Sequence, residues 1–410
     1  MESPDIKRHI PELDGLRGIA VALVVLWHSR PEPVAMFGPM PFLFKALELG
    51  PAGVDLFFVL SGFLITGILL DTKGFPSFFG TFYMRRALRI LPLYFFAVAA
   101  FFWVELPFLH RVGGADISSR EQWWYWLFLM NWHDAAGHIS TNLGAFWSLG
   151  VEEQFYLFWP LIVFFCARRF FPAVCVAVGT GSLLLRVVLY TGNFISPELL
   201  PEWIHRATVT RLDTLAIGAL VAVIVRNANW AIIVRSWMKM AAPVSLVLYT
   251  LIWLSFPGLA CTLGYTVAAI FFGCIVLICV TDEGSDHPLC RLARLGALRS
   301  MGRYSYAMYV LHLLVIRWLK VFALMFILPR VQSLLPRVPI LVVSLISLGG
   351  CLAASYLAAF ISWNLLERHF LQLKSRFTYS RFTPTFAYGT IGNGNTNDEL
   401  ATDAMFPSSK

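Results

Sequence analysis

The sequence predicts an all-α, polytopic transmembrane bundle of about ten spans with both termini cytoplasmic. Three observations carry this expectation. Of 410 residues, 58% are hydrophobic and only 14% are charged, whereas soluble domains run at roughly 45–50% apolar and about 25% charged. Apolar runs recur along the chain with no polar domain between them. The basic residues fall into alternate loops, the bias that sets helix orientation in membranes.

A segment inside hydrocarbon must pair its own backbone groups, so each long apolar run is read as a helix. In order, the spans run from Leu16 to Ser29, Gly53 to Leu70, Ala87 to Leu106, Phe146 to Ala167, Phe171 to Tyr190, Leu212 to Val225, Ala241 to Phe256, Leu259 to Thr281, Tyr304 to Leu328 and Ile340 to Leu365. The stretch from Trp123 to Trp132 is too short to cross and rich in Trp, which suits an interfacial or re-entrant helix on the outer face. Met1 to Leu13 is polar, and no small-residue cleavage site follows the first run. The first span is therefore expected to be an uncleaved anchor.

With the N-terminus inside, cytoplasmic segments hold Lys7, Arg8, Lys73, Arg85, Arg86, Arg168, Arg169, Arg226, Arg235, Lys239, Arg291, Arg294, Arg299 and Arg303, together with a basic tail. The opposite loops hold roughly half as many or fewer. The net charge of +8 follows from that bias. Because the charges are scattered over short loops, a nucleic-acid partner has no support. The seven cysteines lie mostly in apolar runs without CxxC pairs or Cys/His spacings, so they read as packing residues and no metal is expected. Residues 1–377 form one membrane domain in this reading. The Gly/Asn/Thr-rich segment 378–410 is expected to be a disordered cytoplasmic tail.

Ionisable residues inside spans are costly, so each is a functional candidate by default. Arg17 and His28 stand eleven positions apart in the first span, which returns to one helix face about three turns further on. They could serve two ends of a pore, or simply snorkel to the two interfaces. Arg85, Arg86 and Arg89 enter the third span, with Arg86 and Arg89 on one face. Guanidiniums at that mouth could hold phosphates bidentately; for Arg85, ordinary positive-inside anchoring is the plainer alternative.

Glu152 and Glu153 lie just inside the outer end of the fourth span. They could orient or charge-balance His28, accept a sugar hydroxyl, or close a structural pair with a membrane arginine such as Arg186. Arg211 and Asp213 open the sixth span, and Ser305, Tyr306 and His312 sit in the ninth. A packed histidine is as open a reading of His312 as a working one.

These segments together resemble the membrane acyltransferase 3 family, which includes O-antigen and exopolysaccharide O-acetylases. The resemblance covers nearly the whole hydrophobic body. It rests on Leu13-Asp14-Gly15-Leu16-Arg17-Gly18 with His28 completing Arg-x10-His, and on Gly53 through Ile65 in Gly-Val-Asp-Leu-Phe-Phe-Val-Leu-Ser-Gly-Phe-Leu-Ile. Arg86-x-x-Arg89, Trp147-Ser148-Leu149 with Val151-Glu152-Glu153-Gln154-Phe155-Tyr156, Arg211-Leu212-Asp213-Thr214-Leu215, and Gly302-Arg303-Tyr304-Ser305-Tyr306 leading to His312 agree as well.

The resemblance implies transfer of an acyl group, often acetyl, from cytoplasmic acyl-CoA to a hydroxyl of a glycan, a lipid-linked saccharide or a small molecule. It implies that Arg86 and Arg89 hold the CoA phosphates, that the pantetheine arm passes Arg17, and that His28 is the general base, steadied by Glu152 or Glu153. Tyr306, Ser305 and Arg211 become candidate oxyanion donors, with Asp213 and His312 as further acceptor-side contacts. Acyl-CoA is then the co-substrate and the cell membrane the location. A covalent acyl-histidine route stays open beside direct transfer. Asp55, Ser61 and Gly62 match the family's second span, but Ser61 and Gly62 there could serve only close helix packing, and the three stay outside the expected catalytic set. With no room for an added extracytoplasmic hydrolase-like domain, the chain is expected to act alone. A transporter or flippase is the alternative class, but the matching Gly/Pro-broken half-repeats expected of one are not seen.

Overall fold

The computed structural model describes residues 10–30, 49–112, 114, 117–140, 142–281, 286–327, 330 and 340–379, among which there is no strand. The helices are α1 (Pro11–Ser29), α2 (Ala52–Thr72), α3 (Phe78–Ala100), α4 (Gln122–Trp126), α5 (Met130–Ala135), α6 (Phe146–Phe165), α7 (Phe171–Gly192), α8 (Leu200–Arg206), α9 (Thr208–Val225), α10 (Ala228–Ser255), α11 (Tyr265–Thr281), α12 (Pro288–Ala293), α13 (Gly296–Arg303), α14 (Ser305–Phe322) and α15 (Ile340–Ser362). Lys7, Arg8 and the tail beyond Tyr379 lie outside the described residues.

A helix occupies each of the ten apolar runs, but fewer of them meet a membrane-crossing standard of length and composition. Among the described residues seven helical stretches do: Ala52–Thr72, Phe78–Arg111, Phe171–Gly192, Leu200–Val225, Pro257–Thr281, Ser305–Ile327 and Val342–Arg376. An eighth is α10, bent by 52° between Met238 and Met240. The two that fall short are α1 and α6. Both reach spanning length, yet α1 carries Glu12, Asp14 and Arg17, and α6 carries Glu152, Glu153 and Gln154. Their deficit in apolarity is the set of side chains on which function was expected to rest.

Burial explains how these helices tolerate their charges. No described residue of α1 is exposed, because α2, α13, α14 and α15 all pack against it. Close backbone approach makes this possible. A Cβ at Gly18 would run into the Leu298 carbonyl of α13, and one at Gly302 into the Asp14 carbonyl of α1. Gly62 of α2 and Gly218 of α9 do the same reciprocally, against the Leu215 and Val59 carbonyls. Small residues of this kind let helices meet where lipid supplies no hydrophobic drive. The outer helices show the converse pattern, with Val176, Leu184 and Val188 of α7 and Val244, Val247, Leu251 and Leu254 of α10 exposed.

One end of the bundle is closed by basic side chains. Lys73 donates to the Val163 and Cys166 carbonyls, Arg168 to the Leu70 carbonyl, and Arg226 grips Asp71 through both oxygens at 2.8 and 2.6 Å. Elsewhere, the expected single helix from Trp123 to Trp132 is two short ones, α4 and α5. The break falls at Phe128, whose φ of 56° is left-handed. Its ring stacks on Tyr94 and its carbonyl accepts from Gln154 Nε2 at 2.9 Å, which compensates a conformation that non-glycine residues rarely adopt.

Candidate active site

Two cavities abut inside the bundle. The smaller, about 90 Å³, is lined by Arg17 of α1, Ser61 of α2, Arg86 and Arg89 of α3, Glu152, Glu153 and Tyr156 of α6, and Ser305 and Tyr306 of α14. The larger, about 910 Å³, is lined by His28 at the far end of α1, with Trp27, Asp55, Trp147, His205, Arg206, Tyr249, Trp253 and Tyr265. Val54 and Tyr309 line both. The partition is hydrogen-bonded: the Tyr309 and Ser148 hydroxyls are 2.5 Å apart, one donating to the other, and both lie within hydrogen-bond reach of the Ala145 carbonyl oxygen, at 3.0 and 3.2 Å.

The smaller cavity is cationic. Arg86 and Arg89 are one helical turn apart on α3 and face it together, as i,i+3 spacing requires. Among the described residues neither makes a hydrogen bond or ion pair with protein; Arg86 lies over the Tyr156 ring at 5.4 Å. Among the described residues Arg17 is held only by Asp14, at 3.2 Å. Arg85, considered with them from sequence, turns elsewhere and donates to the Phe377 carbonyl at 2.9 Å. Opposite the arginines, Ser61 donates to Glu152 Oε1 at 2.7 Å and accepts from the Tyr156 hydroxyl at 3.0 Å. Ser61, set aside in sequence as a packing residue, is thus part of the cavity wall.

Several sequence expectations change here. Glu152 and Glu153 are in the arginine cavity, and the expected contact with His28 is not made. They lie four and five residues beyond Ser148 on α6, a little over one turn from the partition, and both line the cavity on the side away from His28. His28 meets His312 instead, with Nδ1 and Nε2 3.2 Å apart. Arg186 does not pair with either glutamate: it is fully buried against Asp213 at 2.7 Å, with further bonds to Thr266 Oγ1 and to the Thr210 and Thr262 carbonyls. That closed network takes Asp213 away from both cavities.

Arg211 is likewise enclosed. It pairs with Asp55 and lies 3.9 Å from the centre of the Tyr265 ring, with Phe58 and Trp147 also beneath its guanidinium. Its Nε and Nη1 have no hydrogen-bond partner, and the aromatic faces compensate by cation–π attraction. Arg211 does not line the larger cavity itself, but Asp55, Trp147 and Tyr265, which enclose it, do. Tyr306 lines the smaller cavity, but its hydroxyl donates to the Ile90 carbonyl at 2.7 Å, so as an oxyanion donor it is already committed. Ser305 is buried at the same wall.

Sequence reasoning did not single out Tyr309. The signal was available, since it lies three residues before His312 and four after Ser305 on one face of α14. Among the described residues no group of His, Cys, Asp and Glu is arranged to hold a metal ion.

The arrangement offers, on one side of a partition, the guanidiniums of Arg86 and Arg89, unpaired among the described residues and suited to phosphate, and on the other a histidine in an aromatic chamber. Comparison with known proteins agrees in kind. A family model described as an acyltransferase domain matches residues 10–356. YrhL of Bacillus subtilis, provisionally named a peptidoglycan O-acetyltransferase, is 35% identical over 53% of this chain and 33% of its own length. The peptidoglycan O-acetyltransferase OatA of Listeria monocytogenes is 28% identical over 75% of this chain and 49% of its own. The O-acetyltransferase OatA of Staphylococcus aureus is 30% identical over 53% and 35%. The chain thus spans a third to a half of the length of these curated relatives. No solved structure matches.

Proposed function

This chain belongs to the acyltransferase domain family, and on that footing we propose that it is a cell-membrane O-acyltransferase moving an acetyl group from acetyl-CoA to a glycan hydroxyl. The observation that supports this most is the pair of cavities sharing Tyr309, one lined by Arg86 and Arg89, which have no hydrogen-bond or ion-pair partner among the described residues, and the other by His28. An acceptor and a donor can approach one partition from opposite sides, as transfer across a membrane requires.

In this scheme all ten long helices span. The end closed by Lys73, Arg168 and Arg226 faces the cytoplasm, in keeping with the positive-inside bias. Arg86 and Arg89 hold the CoA phosphates through charge-assisted bonds, and the pantetheine arm runs past Arg17 toward the partition. The acceptor occupies the larger cavity, where Trp27, Trp147, Tyr249 and Trp253 offer flat apolar faces to sugar rings. The relatives' names, which specify peptidoglycan, favour a glycan.

Neutral His28 takes the proton of the acceptor hydroxyl as its oxygen attacks the thioester carbonyl carbon. The tetrahedral adduct then expels the CoA thiolate by breaking the C–S bond, and the imidazolium returns the proton to sulfur. Atoms and charge balance without an external acid or base.

The test uses the full chain in lipid nanodiscs with acetyl-CoA labelled in the acetyl group and soluble peptidoglycan fragments as acceptor. Labelled, O-acetylated glycan is expected, and its formation should require His28. Acetyl-CoA that is neither bound nor consumed overturns the proposal. Label that stays on protein in the absence of acceptor, with stoichiometric release of CoA, replaces direct transfer by an acyl-histidine route.

A further inference from the structure

His312 is the buried group to which the scheme above gives no task. It is completely enclosed, one turn beyond Tyr309 on α14, and its ring centre is 4.8 Å from that of His28. Three short contacts define the pair. His312 Nδ1 is 2.6 Å from the Tyr309 carbonyl oxygen, His312 Nε2 is 3.2 Å from His28 Nδ1, and His28 Nδ1 is 2.9 Å from the Val24 carbonyl oxygen.

The proton positions follow from donor and acceptor rules. A carbonyl oxygen only accepts, so each Nδ1 beside one carries hydrogen. A neutral imidazole has a single N–H, which leaves both Nε2 atoms with bare lone pairs. The bare Nε2 of His312 therefore faces the Nδ1–H of His28 as an acceptor, and that hydrogen is shared between His312 and the Val24 carbonyl. Moving the His28 proton to Nε2 would leave its Nδ1 lone pair against two other acceptors. The Val24 carbonyl and His312 Nε2 are both buried, and facing a third lone pair costs each of them, so the opposite tautomer is disfavoured.

We infer that His312 is a positioning residue that holds His28 in the Nδ1–H tautomer, so that the Nε2 lone pair is the atom left to act on a hydroxyl in the larger cavity. When His28 Nε2 gains a proton, the Nδ1–H bond to His312 becomes charge-assisted and stronger. No proton passes to His312: the one taken up at Nε2 leaves from Nε2. A carboxylate fills this orienting place in serine-protease triads. Here both candidate carboxylates stand on the other side of the partition, and a neutral imidazole takes the place without adding a second buried charge.

The inference rests on the proposed role of His28, but the tautomer belongs to the chain without substrate and can be measured by itself. Full-length protein labelled with 15N-histidine in nanodiscs gives the nitrogen signals, and subtraction of the His28→Gln spectrum isolates those of His28. The wild type should show a protonated-type Nδ1 and an unprotonated-type Nε2. His312→Phe keeps a ring but offers no acceptor, and the His28 signals should then report both tautomers. Turnover should fall on the order of 10- to 100-fold, by analogy with removal of a partner that orients a metal-bound histidine, with KM for acetyl-CoA unchanged. His312→Gln, whose amide can accept from His28 and donate to the Tyr309 carbonyl, should restore the single tautomer and most of the turnover.

A wild-type His28 protonated at Nε2, or a single Nδ1–H tautomer that survives in His312→Phe, overturns the inference. If His312→Phe does not fold, the His312→Gln spectrum decides: a mixed tautomer there is equally contrary. A wild type that never consumes acetyl-CoA defeats the function proposed above while leaving the tautomer result to stand or fall separately.

Discussion

Two sets of membrane-embedded arginines divide this molecule. On the α7, α9 and α11 side, Arg186 and Arg211 are closed against Asp213 and Asp55, deep in protein and away from direct contact with either cavity. On the α1, α3 and α6 side, Arg86 and Arg89 face a cavity without a carboxylate bonded to either. The residue type is the same and all four lie within helical segments, yet the chemistry open to them differs. Guanidiniums enclosed with a counter-ion hold helices together, whereas those facing a cavity without one are available to a ligand. Charge in a span is a good pointer to importance, and only pairing says which kind.

That contrast can be broken at several points. The largest effect is expected at the closed pair. Asp213→Leu leaves Arg186 buried without its counter-ion and should cost about 3–5 kcal/mol of stability, read as a lowered unfolding midpoint in nanodiscs. The double variant Arg186→Met with Asp213→Leu should regain most of that loss, because a buried ion pair replaced by apolar residues of similar volume is often near neutral. Failure to regain it would mean that Arg186 does more than close a pair.

Arg89→Ala should behave in the opposite way. Loss of charge-assisted bonds to a phosphate is worth about 1.5–3 kcal/mol, or on the order of 10- to 100-fold in Kd for acetyl-CoA, with the unfolding midpoint unmoved. A midpoint lowered as far as in Asp213→Leu would erase the distinction between the two sets. The smallest effect belongs to Arg226, whose partner Asp71 is half exposed at the end of the bundle. Arg226→Gln should change stability by about 0–1 kcal/mol, and acetyl-CoA affinity not at all.

Much of this architecture was legible in the sequence, and the limits have a physical cause. Helix positions follow from runs of apolar residues, which are local, and each of the ten runs holds a helix. By length and composition seven or eight of the described helices qualify as spans, and α1 and α6 do not, because they carry the site's charges. Face-sharing within a helix was also readable, as for Arg86 with Arg89. Pairing between helices was not. Ser61 meets Glu152 across 91 residues and Arg211 meets Asp55 across 156, and no periodicity within one helix encodes such a partner. Hence Glu152 and Glu153 were expected beside His28, while the fold sets the Tyr309–Ser148 partition between them. The role of Ser61 was hidden for the same reason, and the tautomer of His28 depends on a histidine 284 positions away.

The central claim is that donor binding and proton transfer are divided between the two cavities. Its most direct test measures acetyl-CoA affinity and acetyl transfer separately in His28→Ala and in Arg86→Ala/Arg89→Ala, all as full chains in nanodiscs. His28→Ala should bind acetyl-CoA as the wild type does and lose on the order of 10²- to 10⁴-fold in transfer, as expected for a removed general base, whereas the double arginine variant should lose affinity. A His28→Ala protein that no longer binds acetyl-CoA, or a double arginine variant that binds it unchanged, would contradict that division.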